Sequence, residues 1–208
     1  MDSAQFLCKV VLIGDSGVGK TSILNKRIYE KFTFHTTHTE LGQMNSLKLK
    51  INGIDITLKL WDTAGQEKYR TITIQFYRET KGAFLVFDMT NHQSFDNIKF
   101  WAKQLRNHGG DDVKKVILAN KCDLTDKLAV TEEEITDLAK QINANFFIVS
   151  AYNSENIIEC FDFMAAELIK NCYKQQQESP NFQHKQLSQN TESFLDQKQK
   201  KKQNQGCC

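Results

Sequence analysis

The sequence predicts an α/β protein with a doubly wound, mostly parallel sheet of about six strands and helices on both faces. Short β-rich runs alternate along the chain with stretches of helical periodicity. A glycine-rich loop separates the first strand from the first helix, and one Asn-Gly pair marks a two-residue hairpin. Strands that alternate with helices form βαβ units, so we expect parallel strands that are covered by helices.

The individual elements follow from local patterns. The β-rich runs are residues 6–13, 46–51, 55–61, 82–89, 114–121 and 145–151. The hairpin joins the second and third of these runs through Asn52 and Gly53. Helical patterns cover residues 20–32, 94–107, 131–142 and 154–173. Ser94 is a candidate helix cap, and Thr131 with Glu134 fits a capping box.

Composition and charge favour one globular domain with a tail. The chain has 208 residues with a net charge of +2, so nothing global indicates nucleic-acid binding. Periodicity covers residues 1–174, whereas residues 175–208 are rich in Gln, Asn, Ser and Lys and are expected to be flexible. No secretory signal, membrane-spanning run or zinc spacing of the six cysteines is recognisable. We therefore expect a chain with reduced thiols in the cytosol.

Residues 14–21, GDSGVGKT, fit the GxxxxGK[ST] pattern of a phosphate-binding loop and lie between a predicted strand and a predicted helix. Glycines let backbone N–H groups surround a phosphate, and the helix N terminus adds partial positive charge. Lys20 is expected to reach the outer phosphates, and Thr21 to offer its hydroxyl to Mg²⁺. The alternative is a glycine turn without a ligand. The predicted nucleotide-binding residues are Asp15, Ser16, Gly17, Val18, Gly19, Lys20, Thr21 and Ser22.

Residues 120–123, NKCD, follow a predicted strand and indicate a guanine site. A carboxylate at Asp123 can accept hydrogen bonds from N1–H and the 2-amino group of guanine, whereas adenine would leave it unpaired. Asn120 can brace the phosphate loop, and the stem of Lys121 can lie over the base. Backbone N–H groups in SAY, residues 150–152, can meet the guanine oxygen. The predicted base-binding residues are Asn120, Lys121, Asp123, Ser150, Ala151 and Tyr152.

These segments, together with WDTAGQE at residues 61–67, make the chain resemble the Rab family of small GTPases, within the Ras superfamily. Residues 68–73 (KYRTIT), 76–78 (FYR) and 86–90 (VFDMT) add to the resemblance. It implies the P-loop small GTPase fold, binding of GTP and GDP with Mg²⁺, slow GTP hydrolysis and a switch in vesicle trafficking. An ATPase or kinase is disfavoured by Asp123. A nucleotide-locked binding module without turnover is the alternative function.

The resemblance assigns catalytic roles to the WDTAGQE segment. It implies that Gln66 orients the attacking water, that Asp62 holds a water ligand of Mg²⁺ and that the amide of Gly65 senses the γ-phosphate. Thr36, Thr37 and Thr39 compete as a further Mg²⁺ ligand, and Thr39 has the family spacing. The implied metal ligands are Thr21, Thr39 and Asp62, and Phe32 is expected to stack on the guanine edge.

The resemblance also implies partners. No arginine in cis is an obvious transition-state group, so we expect a GTPase-activating protein to accelerate hydrolysis. An exchange factor, effectors, the prenylation machinery and a dissociation inhibitor are the other implied partners of a monomer. Met44, Trp61 and Phe76 occupy the positions of an apolar effector surface; strand packing is the alternative for Trp61.

The paired thiols of Cys207 and Cys208 have four interpretations: a vicinal disulfide, a metal site, inert tail thiols or prenylation. A vicinal disulfide is strained, and the other metal ligands are missing. The resemblance favours geranylgeranylation of both cysteines, because two lipid chains anchor stably where one does not. Residues 198–202, KQKKK, can add attraction to an anionic leaflet. The expected location is the cytoplasmic face of endomembranes, with a cytosolic pool.

Overall fold

The computed structural model describes residues 5–32, 43–63 and 75–178. The predicted site residues Thr39, Gly65, Gln66, Cys207 and Cys208 lie outside these ranges. The chain divides into two units, Met1–Leu168 and Ile169–Cys208, and only residues 169–178 of the second unit are described. No helix in the described ranges is long and apolar enough to cross a bilayer.

Six strands and five helices form the described fold. The strands are β1 (Gln5–Ile13), β2 (Gln43–Ile51), β3 (Ile54–Asp62), β4 (Gly82–Asp88), β5 (Lys114–Asn120) and β6 (Asn145–Ile148). The helices are α1 (Lys20–Tyr29), α2 (His92–Asp96), α3 (Ile98–Gly109), α4 (Glu132–Ile142) and α5 (Ile157–Glu178), with a 3₁₀ turn at Thr125–Lys127.

The strands form one sheet in the order β2-β3-β1-β4-β5-β6. Among the described strands only the β2–β3 pair is antiparallel, and β1 lies parallel to both β3 and β4. The hairpin between β2 and β3 turns at Asn52 and Gly53, whose φ angles of 50° and 82° are those of a primed turn. The predicted doubly wound, mostly parallel sheet is therefore confirmed, with its single antiparallel strand at the edge.

Helices cover both faces of the sheet, as the sequence predicts. On one face, Val11 and Phe87 pack with apolar residues of α2, α3 and α4, such as Trp101. On the other face, the ring of Phe84 lies 4.8 Å from that of Phe161 in α5. Strands β4 and β5 are buried on both faces along most of their length, which explains their continuous apolar sequence.

The predicted start of the second helical stretch, residues 94–107, is wrong in detail. Ser94 does not cap a helix but lies inside α2, and the side chain of Asn91 accepts the capping hydrogen bond from the Ser94 amide. A short α2 and a separate α3 replace the single predicted helix, because the chain turns at Asn97. The capping box of Thr131 and Glu134 is confirmed.

Candidate functional site

The predicted site residues converge at the carboxyl ends of the parallel strands. The chain leaves β1 into the glycine loop and later passes from β3 on one side of β1 to β4 on the other. This reversal opens a crevice at the strand ends, where ligands of doubly wound proteins bind. Asp62, Asp88 and Asn120 are the last residues of β3, β4 and β5. The fold therefore brings together segments that are far apart in sequence.

The glycine loop leads directly into α1. Gly19 caps the helix with a left-handed φ of 99°, and a Cβ at this position would collide with the side-chain amide of Asn120. Lys20 is 5% exposed, and its ammonium donates to the carbonyls of Gly14 (2.9 Å) and Asp15 (2.7 Å). Burial lowers the pKa of Lys20 to about 8, although the carboxylates of Asp62 and Asp15 oppose that shift. A phosphate beside Lys20 would favour its charged form.

The carboxylate of Asp15 points away from the loop interior and toward α3. Its two oxygens accept hydrogen bonds from Asn97 Nδ2 at 2.6 Å and from Trp101 Nε1 at 2.8 Å. Asp15 was predicted as a nucleotide-binding residue. The side chain forms a protein contact and the backbone carbonyl lies beside Lys20, while a nucleotide contact of Asp15 stays a prediction.

Asn120 connects the phosphate loop to the loop that follows β6. Its side-chain amide donates to the Val18 carbonyl at 2.8 Å, and its side-chain oxygen accepts from the Ala151 amide at 3.2 Å. Asn120 is 2% exposed, so both bonds are protected from water. The glycine loop and the loop that follows β6 are thus held at a fixed separation.

The predicted base-binding residues lie together around Asp123. The Ser150 hydroxyl donates to Asp123 Oδ1 at 2.5 Å and accepts from the Tyr152 amide at 3.1 Å. The ring of Phe32, at the end of the segment after α1, lies edge-on to Tyr152 with centroids 5.5 Å apart. An oriented carboxylate with an aromatic wall nearby can accept two N–H groups from a planar base.

Lys121 crosses toward the glycine loop. Its ammonium donates to the Gly17 carbonyl at 3.0 Å and forms an ion pair with Asp88 Oδ2 at 2.5 Å. Its own φ angle of 68° is in the left-handed region, which a lysine adopts only where the surroundings impose it. Its side chain therefore runs from the end of β5 toward Gly17.

Thr21 and Asp62 form an oxygen-rich pair beside Lys20. The Thr21 hydroxyl donates to Asp62 Oδ2 at 2.6 Å, and Asp62 Oδ1 is buried without a hydrogen-bond partner among the described residues. Burial raises the pKa of Asp62, against the hydrogen bond from Thr21 and the charge of Lys20. Hydroxyl and carboxylate oxygens suit Mg²⁺, and a buried carboxylate oxygen without a partner is where a cation or its water would fit. The residues present therefore fit a magnesium site.

Several residues of the site were not found by sequence reasoning. Asn97 and Trp101 hold Asp15, and Asp88 holds Lys121. Trp101 lies on an apolar helix face and reads as a core residue, so no local signal marks its indole N–H. Asp88 does end an apolar run at a strand terminus, which is a usable signal in a parallel sheet.

The three predicted effector residues, Met44, Trp61 and Phe76, are neighbours in the structure. The rings of Trp61 and Phe76 lie 5.4 Å apart, and Met44 is opposite Trp61 in the β2–β3 register. Met44 is 44% exposed, and Trp61 and Phe76 are half-buried. The structure thus brings these three side chains into one surface.

Comparison with known proteins agrees with this geometry. The sequence profile of the Ras family matches residues 9–170. The chain is 41% identical over 167 residues to Ras-related protein Rab-8B of Homo sapiens, which covers 79% of this chain and 80% of that protein. It is 39% identical over 177 residues to Ras-related protein Rab-8 of Diplobatis ommata, which covers 84% of this chain and 83% of the relative.

The chain therefore belongs to the Ras family of small GTPases. Within that family it is a Rab-like small GTPase, which hydrolyses GTP and acts in vesicle trafficking. The predicted family, fold and activity are confirmed, and the nucleotide-locked alternative is not favoured. Proteins of this family bind GTP and GDP and work with regulators and effectors at membranes.

Proposed function

We propose that the crevice holds the guanine nucleotide of a Rab-type switch cycle and that Asp123 selects guanine. The observation that supports this most directly is the network around Asn120, which ties the glycine loop to the segment that orients Asp123. The Ser150 hydroxyl restrains the carboxylate, while both oxygens keep lone pairs for N1–H and the 2-amino group of guanine. Adenine offers an acceptor at N1 and no 2-amino group, so it would leave the carboxylate unpaired.

The phosphate end follows from the same geometry. Backbone amides of the glycine loop and the N terminus of α1 would face the phosphates, and Lys20, whose ammonium the carbonyls of Gly14 and Asp15 hold in place, would supply positive charge. Thr21 and Asp62, with Thr39, would hold Mg²⁺. The ion would neutralise charge on the β- and γ-phosphate oxygens. The proposed role of Gln66 is to orient the attacking water.

The base assignment is tested with Asp123→Asn. Asparagine presents an N–H donor where the carboxylate accepts, so GDP affinity should fall by about 100-fold or more. Affinity for xanthosine diphosphate should rise, because xanthine carries a carbonyl in place of the 2-amino group. Asp126→Asn, an exposed neighbour in the 3₁₀ turn, is the matched control. Unchanged GDP affinity and no gain for the xanthine nucleotide in Asp123→Asn would refute the assignment.

The switch is proposed to work through the γ-phosphate. Thr39 and Gly65 would both contact that phosphate region, so hydrolysis would release the two segments that contain them. An activating protein would supply a transition-state arginine, worth about 10³–10⁵ in rate. Single-turnover hydrolysis by Gln66→Leu, with and without such a protein, tests the catalytic part. A variant as fast as the wild type in both conditions would show that Gln66 is not catalytic.

The membrane attachment is proposed to use the tail. Geranylgeranyl groups on Cys207 and Cys208 would anchor the chain, with residues 175–208 as a tether and KQKKK as an electrostatic contribution. The proposed location is the cytoplasmic face of an endomembrane. Mass spectrometry of the carboxyl-terminal peptide from native cells should show two added lipid groups. Two unmodified thiols would reject this part and leave the nucleotide site untouched.

A further inference from the structure

A cluster of lysines lies on one face of the β2-β3-β1 part of the sheet. Lys9 is directly opposite Lys59, and Leu7 and Lys48 are both opposite Thr57, so these side chains share a face. Lys50 follows two residues after Lys48 and lies on the same face. We call Lys9, Lys48, Lys50 and Lys59 the basic sheet face. Lys48 and Lys50 are exposed, and Lys9 and Lys59 are half-buried.

The positive charge of this face is local. The whole chain has a net charge of only +2, so four lysines in one small area are not a consequence of overall composition. Two carboxylates lie within electrostatic reach. Asp55 is 4.0 Å from the ammonium of Lys50, and Glu79 raises the pKa of Lys9 against the larger lowering by burial. In the described part of the chain, Lys48 and Lys59 have no carboxylate within ion-pair distance.

The arrangement is unfavourable for the protein alone. Like charges directly opposite each other in a sheet destabilise it, and Lys9 and Lys59 are such a pair. Adjacent strands are about 4.8 Å apart and alternate residues on one strand about 6.7 Å apart. The positively charged ammonium groups of Lys48 and Lys59 are therefore close enough to repel each other. A negatively charged partner on this face would relieve the repulsion.

An apolar border continues from the basic sheet face. The ammonium of Lys9 lies 5.4 Å from the Trp61 ring centroid and donates to the Arg78 carbonyl at 2.8 Å, so the basic sheet face and the Trp61 ring are in contact. Leu7 is 61% exposed on the same face. Aromatic residues and Met are enriched at protein interfaces, and complementary charge around such anchors favours encounter with a partner of opposite charge.

We propose that the basic sheet face binds an acidic segment of a protein partner, whose apolar side chain packs at Met44, Trp61 and Phe76. This inference rests on the proposed function, because it extends the proposed effector surface and names the charge of its partner. Strand β2 begins directly after residues 33–42, and β3 ends directly before residues 64–74, the two segments that contain Thr39 and Gly65. Met44 and Trp61 lie at the ends of β2 and β3 that adjoin these segments, so we expect partner binding to depend on the bound nucleotide. A membrane would have no such requirement.

The experiment uses the full chain, loaded with a non-hydrolysable GTP analogue. A display library of random 12-residue peptides, each about 40 Å long when extended, is selected against it. The wild type should select peptides with a net negative charge and at least one aromatic or aliphatic residue. The affinity of a selected peptide is then measured by fluorescence anisotropy. Lys48→Glu/Lys59→Glu should bind it at least about tenfold more weakly at low salt, and the difference should shrink as salt screens the charges.

Lys99→Glu/Lys103→Glu is the matched control, because it makes the same charge change on exposed positions of α3. The control should keep wild-type affinity, and both variants should keep wild-type GDP affinity and thermal midpoint. Peptides with the charge distribution of the unselected library, or an equal loss in the control, would overturn the proposal. Sedimentation with phosphatidylserine-containing vesicles is a parallel arm. Vesicle binding that needs Lys48 and Lys59, without selection of acidic peptides, would identify a lipid surface instead and also overturn it.

The two levels of the argument can fail separately. If the wild type selects acidic peptides equally in the GDP and GTP-analogue forms, the proposed dependence on nucleotide is wrong. If the protein takes up neither GDP nor GTP, the proposed function fails, whereas the charge-reversal comparison still decides what the basic sheet face binds.

Discussion

Trp101→Phe tests whether α3 holds the phosphate loop in place. The substitution removes the indole N–H that donates to Asp15 Oδ1 at 2.8 Å and keeps an aromatic ring on the buried face of the helix. A hydrogen bond to a charged acceptor contributes about 1.5–3 kcal/mol. Asp15 is half-buried, so water replaces part of this bond. Together with the smaller ring, we expect a loss of about 2 kcal/mol in the free energy of unfolding.

The assay is urea unfolding followed by circular dichroism, at fixed excess GDP and Mg²⁺ because bound ligand shifts apparent stability. A double-mutant cycle with Asp15→Ala isolates the contact from the packing change. The Asn97 bond to Asp15 stays in place in the Trp101→Phe variant, so it does not contribute to the coupling. We expect a coupling free energy of about 1–2 kcal/mol.

The contact should also affect the nucleotide. The carbonyl of Asp15 accepts from Lys20 at 2.7 Å, so a looser Asp15 aims Lys20 less well. GDP dissociation should accelerate about tenfold in Trp101→Phe, since small displacements of positioning groups are costly. A coupling below about 0.5 kcal/mol, or a GDP dissociation rate equal to that of the wild type, would refute the reasoning.

Three other predictions concern different parts of the site and the fold. Gly19→Ala places a methyl group against Asn120 at a left-handed φ of 99°, so GDP affinity measured by calorimetry should fall by about 100-fold; an affinity within a factor of three of wild type would contradict this. Ser150→Ala releases Asp123, and the ratio of GDP to ADP affinity should fall by about tenfold; an unchanged ratio would show that the hydroxyl does not orient the carboxylate. Hydrogen bonds to acidic side chains of α4 and α2 raise the pKa of His92 in the folded protein above 6.5. The charged ring therefore stabilises the fold fully below pH 6.5, and this contribution is lost as the pH rises through the raised pKa. His92→Gln should therefore be less stable than wild type in urea at pH 6, and equal losses at pH 6 and pH 9 would rule out a contribution from the charged ring.

Local patterns were sufficient for much of the fold. Val11, Ile13 and their neighbours are apolar because β1 is central in the sheet, and the glycine loop that follows has a backbone requirement that few residues meet. Asn52 and Gly53 specify a turn, and Thr131 with Glu134 specifies a helix start, from nearest-neighbour chemistry. Such features depend on residues within one turn of the chain, so they are readable without the fold.

The boundaries were less predictable. Strand β2 begins three residues before the predicted run, because pairing with β3 continues through Met44 and Gln43 even though these residues lack β-rich character. The helix after the glycine loop ends at Tyr29, because Glu30 adopts a left-handed conformation and its amide donates to the Lys26 carbonyl. In both cases tertiary or capping contacts override a weak local preference.

The sequence by itself indicated the family and the fold class, and it predicted a phosphate-binding loop and a carboxylate that suits guanine. The strand order came only from the structure. The tertiary structure alone decided which groups support the loop and the carboxylate. Trp101 lies 86 residues from Asp15, and Asn120 lies 102 residues from Val18, yet each pair shares a hydrogen bond. Contacts at such separations depend on how strands align across the sheet, and no short segment carries that information. The basic sheet face also depends on tertiary structure, because its four lysines, which are scattered in the sequence, form one surface only when β1, β2 and β3 lie in register.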